Sequence, residues 1–175
     1  ILILLMTSLI LLSACSSDCK KCRGSITESP IALDKVESIS VNLKGDLYLY
    51  QDTFQFASVA GKEVAITNIN KSIEAGNWNV FYAGCLSCED EVEVVLVVPN
   101  IAKIELMGSG NIIADEAFKQ KNITIINKGT GNILFKQLSV DTLFTSIENS
   151  GNIQLSGEET KEINATIIGS GDLEL

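Results

Sequence analysis

Four short words punctuate the second half of this chain: GSGN at 108–111, GTGN at 129–132, NSGN at 149–152 and GSGD at 169–172. Their second glycines, Gly110, Gly131, Gly151 and Gly171, are spaced by 21, 20 and 20 residues. A fixed period of this length signals one structural unit stacked on copies of itself rather than a single catalytic loop. A unit of about 20 residues that returns on itself must turn sharply, so the words are expected to be corners, with glycine supplying positive φ. Asn111, Asn132, Asn152 and Asp172 follow those glycines and suit turns as well. Stacked at the strand spacing of ~4.8 Å, they are expected to form a hydrogen-bonded ladder. A calcium-binding turn array would need a carboxylate in nearly every repeat, and in this aligned column only Asp172 supplies one.

Alignment on the second glycine sorts the side chains into columns. Ile104, Ile125, Thr145 and Ala165 lie six residues before it, and Leu106, Asn127, Ile147 and Ile167 four before. Ile112, Ile133, Ile153 and Leu173 lie two after it, and Ala114, Phe135, Leu155 and Leu175 four after. The intervening positions hold Lys103, Thr124, Phe144 and Asn164, then Glu105, Ile126, Ser146 and Thr166. Alternation on both sides of a corner predicts two strands per repeat, each with one face inward. The same register recurs at an offset of 65 residues, where Ile39, Val41, Gly45, Asp46 and Leu47 match Ile104, Leu106, Gly110, Asn111 and Ile112. Because 65 is close to three periods, the segment between reads as less regular coils or hairpins. No stretch sustains a helical period, so the expected class is all-β, built of stacked coils of about 20 residues.

Residues 1–14 carry no charge and run into Cys15 through LLSAC, which resembles the lipobox of bacterial lipoproteins. The resemblance implies a signal peptide over 1–14 and a lipidated Cys15. Two or more acyl chains anchor a protein far more firmly than one, because each buried methylene contributes ~0.8 kcal/mol. Residues 15–29 read as lipid anchor and tether, and 30–175 as the folded domain. The chain lacks an initiating Met and ends on an uncapped coil, so it is expected to be incomplete at both ends.

Four further cysteines come in two pairs, Cys19 with Cys22 and Cys85 with Cys88. Such spacing would suit tetrahedral zinc in a reducing compartment. Export favours disulfides, and the reading preferred is long-range bridges joining the segment behind the anchor to the second pair. Local disulfides, free thiols and zinc remain alternatives.

All 22 acidic and 13 basic residues follow Cys15, leaving the net charge at −9. There is no basic stripe to neutralise phosphates, which argues against nucleic acid and against anionic headgroups as partners. The chain has no histidine, so no serine or cysteine has the usual base to activate it. The acidic runs Glu89-Asp90-Glu91 and Glu158-Glu159 read as solvated loops rather than acid/base pairs. Trp78 and Tyr82, in NWNVFYAG, are the candidate binding aromatics, with core capping as the competing role.

The lipobox, VESISVNLKGDLYLYQ, VEVVLVVPNIAKIELMGSGNI and the serial glycine corners together resemble the auto-transporter adhesin head GIN domain family, DUF2807, of Bacteroidetes. The resemblance covers residues 36–175. It implies a right-handed parallel β-helix-like solenoid in an exported lipoprotein with no established enzymatic activity; the residues themselves offer no catalytic set, and no cofactor or metal is expected. The expected protein is therefore an outer-membrane lipoprotein, periplasmic or surface-exposed, acting as an adhesin-like or envelope interaction module. Its partners would be the membrane through the lipid, an unidentified protein or glycan, and a second copy through the open coil end. The rival is a carbohydrate-active lyase or hydrolase, a role in which outward carboxylates such as Glu105 or Asp115 would be essential.

Overall fold

The computed structural model describes residues 19–87, 92–157 and 160–175. Two short strands, β1 (Lys20–Lys21) and β2 (Ile26–Pro30), precede the first coil, made of β3 (Ser38–Val41) and β4 (Leu47–Gln51). Next come β5 (Phe56–Lys62), the helix α1 (Glu63–Asn68), β6 (Ile73–Glu74), β7 (Asn77–Val80), β8 (Leu86–Ser87) and β9 (Glu93–Val98). The repetitive part comprises β10 (Lys103–Leu106), β11 (Ile112–Asn127), β12 (Ile133–Ile147), β13 (Ile153–Leu155), β14 (Glu162–Ile167) and β15 (Leu173–Glu174).

These strands stack in two parallel columns that the corners join. One column runs β7, β3, β10, the end of β11, the end of β12 and β14. The other runs β9, β4, the start of β11, the start of β12, β13 and β15. Ile104 lies opposite both Ile39 and Ile125, and Ile112 opposite both Leu47 and Ile133. The offset of 65 residues is therefore a single layer step, not three. The 51 residues between β4 and β10 turn back to the far side of the first coil, where β7 and β9 form a layer of their own, so the first coil in sequence is the second in the stack.

Aliphatic alternation fixes which side of each strand faces in. Trp78, Ile39, Ile104 and Ile125 form one buried column, while Val94, Leu47, Ile112, Ile133 and Ile153 form another. Burying such side chains contributes about 1.5–3 kcal/mol each, and stacking covers both edges of every inner coil. Rather than two short strands per repeat, β11 and β12 are continuous through 16 and 15 residues. They add a third side, on which Phe118 faces Leu138 and Ile123 faces Leu143. In β12 the buried positions slip phase between Phe135 and Leu138 and again between Val140 and Leu143, and each slip marks a bend in the strand. Phe118 and Phe135 meet edge-on across one of these bends, their centroids 5.7 Å apart.

The sheet as a whole is mixed, which corrects the expectation of an all-parallel helix. β5 pairs antiparallel with both β2 and β9, and β6 pairs antiparallel with β7. The result is an all-β, curled open sheet, with α1 packing against β5 and β2. Residues 19–29, expected as tether, are folded from Cys19 onward. β1 pairs with β8, and a disulfide joins Cys19 to Cys85 across 66 residues. Cys22 is also in a disulfide, which removes it and its neighbours from any zinc site. The candidate lipid site Cys15, the candidate Cys88 and the two acidic runs lie outside the described residues. At the other end of the stack, Ile163, Ile167, Ile168 and Leu175 are exposed.

Candidate functional site

The corners are built differently from what glycine's usual role suggests. Among the described residues only Gly24, Gly76, Gly84 and Ala75 have positive φ, and none of them is a corner glycine. The corner glycines are required by close approach instead. A Cβ on Gly131 would overlap the carbonyl oxygen of Gly110 and lie 2.7 Å from its carbon. Gly110 stands in the same relation to Gly45, Gly151 to Gly131, and Gly171 to Gly151. The peptide backbones of successive layers touch here, so a side chain has nowhere to go.

The residue after each of these glycines forms a ladder. Asp46 Oδ1 accepts from the Asn111 backbone N–H at 2.8 Å, Asn111 Oδ1 from Asn132 at 3.0 Å, Asn132 Oδ1 from Asn152 at 3.1 Å, and Asn152 Oδ1 from Asp172 at 2.8 Å. Every rung thus satisfies a corner N–H that has left the strand ladder. Inside the corner, the fully buried Asn127 donates to the carbonyls of Gly131 and Asn152 and accepts from Gly129, so an amide in an otherwise apolar column is fully paired.

Beside the ladder runs an outward column, Tyr48, Ile113, Leu134, Gln154 and Glu174, held in register from layer to layer. Between rail and column lies a groove of about 520 Å³. Tyr48, at the end of the column beyond the groove's lining, is half-buried, and its hydroxyl is pushed up in pKa by burial first, then by Glu93, Asp46 and Asp115. At the other end Gln154 donates to Glu174 at 2.9 Å. Sequence reasoning placed Asn111, Asn132, Asn152 and Asp172 at the corner but did not single out the column beside them. The signal was present, since these residues recur three positions after each second glycine.

Of the two candidate aromatics, Trp78 is closed to a partner. Trp78 is 0% exposed, with its indole donating to the Asn70 carbonyl at 2.8 Å, and half-buried Tyr82 packs on the core. Nor do the outward carboxylates form an acid/base pair. Glu105 lies between Lys103 at 2.6 Å and Lys128 at 2.9 Å, while Asp115 pairs with Lys136 at 2.7 Å. Burial pushes the Glu105 carboxyl up, but the two lysines outweigh it and hold the pKa below the ordinary value, the wrong direction for a general acid. A group with a lowered folded pKa adds stability above its unfolded pKa and loses it as pH falls through the folded one. Glu105→Gln should therefore cost roughly 1–2 kcal/mol at neutral pH. In urea melts the gap between variant and wild type should close on acidification, and a gap that persists in acid would show that the charge is not what matters.

A family model described as "Putative auto-transporter adhesin, head GIN domain" matches residues 36–175. Among solved structures, a "putative adhesin" from Parabacteroides distasonis superposes with a TM-score of 0.66 at 19% identity, covering 90% of this chain and 76% of that one. A second "putative adhesin", from Bacteroides fragilis, gives 0.55 at 9% identity over 88% and 98% of the two chains. A third, from Parabacteroides merdae, gives 0.50 at 14% identity over 91% and 100%. At such identities the likeness is one of fold. No curated protein matches this chain.

Proposed function

Because the chain belongs to the auto-transporter adhesin head GIN domain family, we propose that it is an exported lipoprotein whose folded body is a non-catalytic, adhesin-like interaction module. The observation that carries this reading is the groove itself, a regular outward surface of amides and aliphatics repeated layer by layer. Catalysis would need a positioned acid, base or nucleophile. The outward carboxylates nearest to that role, Glu105 and Asp115, are held in lysine pairs instead. We read the parallel layers as coils of a right-handed β-helix-like solenoid, interrupted at one end by the antiparallel strands.

Anchoring follows from LLSAC, with the lipid on Cys15 in the outer membrane and the body facing periplasm or exterior. Cys19, four residues after Cys15, is tied by its disulfide to Cys85, and in this reading the disulfide-bonded end of the stack faces the membrane. Metabolic labelling with a palmitate analogue should mark the wild type and not Cys15→Ala, and equal labelling of both would remove the anchor. Protease shaving of intact cells then decides the side. The purified mature domain is expected to bind host matrix, glycan or an envelope component and to leave a polysaccharide panel uncleaved. Turnover that is lost in Asp115→Asn or Glu105→Gln would replace this reading with a lyase or hydrolase.

A further inference from the structure

We propose that the groove beside the corner ladder binds an uncharged, linear glycan lying along the stacking axis, with one sugar ring per layer. The inference rests on the interaction-module reading and names the ligand class for that same site. Its first support is geometric. Successive layers lie ~4.8 Å apart, about the length of one pyranose unit in an extended chain, and the groove crosses four layers at Ile113, Leu134, Gln154 and Glu174.

The second support is chemical. The ladder consumes the Asn side-chain oxygens in bonds to the next layer, and Asn111 Nδ2 also donates to Asp46 Oδ1 at 2.9 Å, so that one hydrogen of that amide remains for the groove. Asn132 Nδ2 donates one hydrogen to Asn111 Oδ1 at 3.3 Å and keeps the other, and Asn152 Nδ2 has no partner among the described residues. Donors at a regular interval suit sugar hydroxyls along one edge of a glycan. Opposite them Ile113 and Leu134 offer aliphatic surface to the C–H face of a ring, an apolar floor with a few placed polar groups being the usual make-up of a small-molecule site. Asp172 and Glu174 accept at the far end, and no cation lines the groove. Uronate, sulfate and phosphate groups would meet carboxylates there with nothing to neutralise them, which selects for neutral chains.

The test is titration calorimetry on the mature domain with neutral oligosaccharides of about four to six sugars, the cello-, xylo-, manno- and chito-series, beside oligogalacturonate and a heparin fragment. At least one neutral series should bind with a dissociation constant of millimolar or tighter, and the anionic probes should not. Leu134→Ala and Gln154→Ala should each weaken binding about tenfold without moving the melting temperature, while Phe144→Ala, on the outward face of the other column, should leave it unchanged. Binding of anionic probes alone, no binding to any neutral series by folded protein, or equal affinity in all three variants overturns the proposal. Cleavage of a bound neutral oligosaccharide would instead overturn the non-catalytic reading and leave the glycan site standing, whereas adhesion to other matrix without glycan binding would do the reverse.

Discussion

Gly131→Ala is expected to destabilise the domain by about 3 kcal/mol or more, although it adds a single methyl group. Overpacking ordinarily costs about 1–3 kcal/mol because neighbouring side chains can shift. Here the obstacle is backbone: the new Cβ would overlap the Gly110 carbonyl oxygen and approach the Ser109 carbonyl to 2.9 Å. Relief requires the layers of Gly110 and Gly131 to move apart, which breaks the bonds from Asn132 to Asn111 and from Thr130 to Gly108. In a stack where each layer contacts only its neighbours, a wedge in the middle weakens the interfaces on both sides. Gly171→Ala meets the Gly151 carbonyl in the same way but in the last layer of the described stack, so that coil can tilt outward at lower cost. Urea melts of the two variants should therefore differ clearly, with the inner one far worse. Equal and small losses would mean that close approach is not why glycine stands at the corners.

The parts of this fold legible in the sequence are those that repeat. Period-two columns around each second glycine placed Ile104, Ile112, Ile133 and Ile153 inside, and they are buried. The same columns also placed the inner face of the last coil inside, yet Ala165 and Ile167 are exposed because no described layer covers them. The offset that aligned Ile39 with Ile104 gave the correct partners but not the correct spacing in the stack, because register carries no information about where an insertion travels. The third side of the coil was hidden for a related reason. Phase slips at the bends of β12 break the alternation that marks a strand, leaving Leu138 and Leu143 without a common period. The antiparallel strands β2, β5 and β6 have no counterpart in any other repeat, so nothing in the pattern announced a mixed sheet. The corner glycines were identified correctly but for the wrong cause: their spacing reports a stack, whereas φ and backbone approach both select glycine and are told apart only by geometry. The groove was half visible, since its rail follows the glycines while its floor looks like any outward strand position until the layers are superposed.

The second large effect concerns Trp78, which was weighed as a binding residue and is instead the largest fully buried side chain. It lies in register with Ile39 in the layer on the far side of the first coil. Trp78→Ala is expected to cost about 3–5 kcal/mol, the range for removing a buried aromatic and leaving a cavity. The polar contribution can be separated from the apolar one. Trp78→Phe keeps most of the ring contact but leaves the Asn70 carbonyl without the indole N–H that reaches it at 2.8 Å, so it should cost roughly 1–3 kcal/mol. Because the defect sits in the end layer, damage should spread unevenly. The Ile69–Tyr82 bridge and α1 pack around this end, and the segment from Lys62 to Ala83 should become the first site of proteolysis. The corner ladder from Asn111 to Asp172 lies layers away and should keep its amide protection under mild conditions. If Trp78→Ala instead left stability intact and abolished binding of a partner, the residue would have to be accessible in solution, and both the capping role and the placement of the site in the groove would fall together.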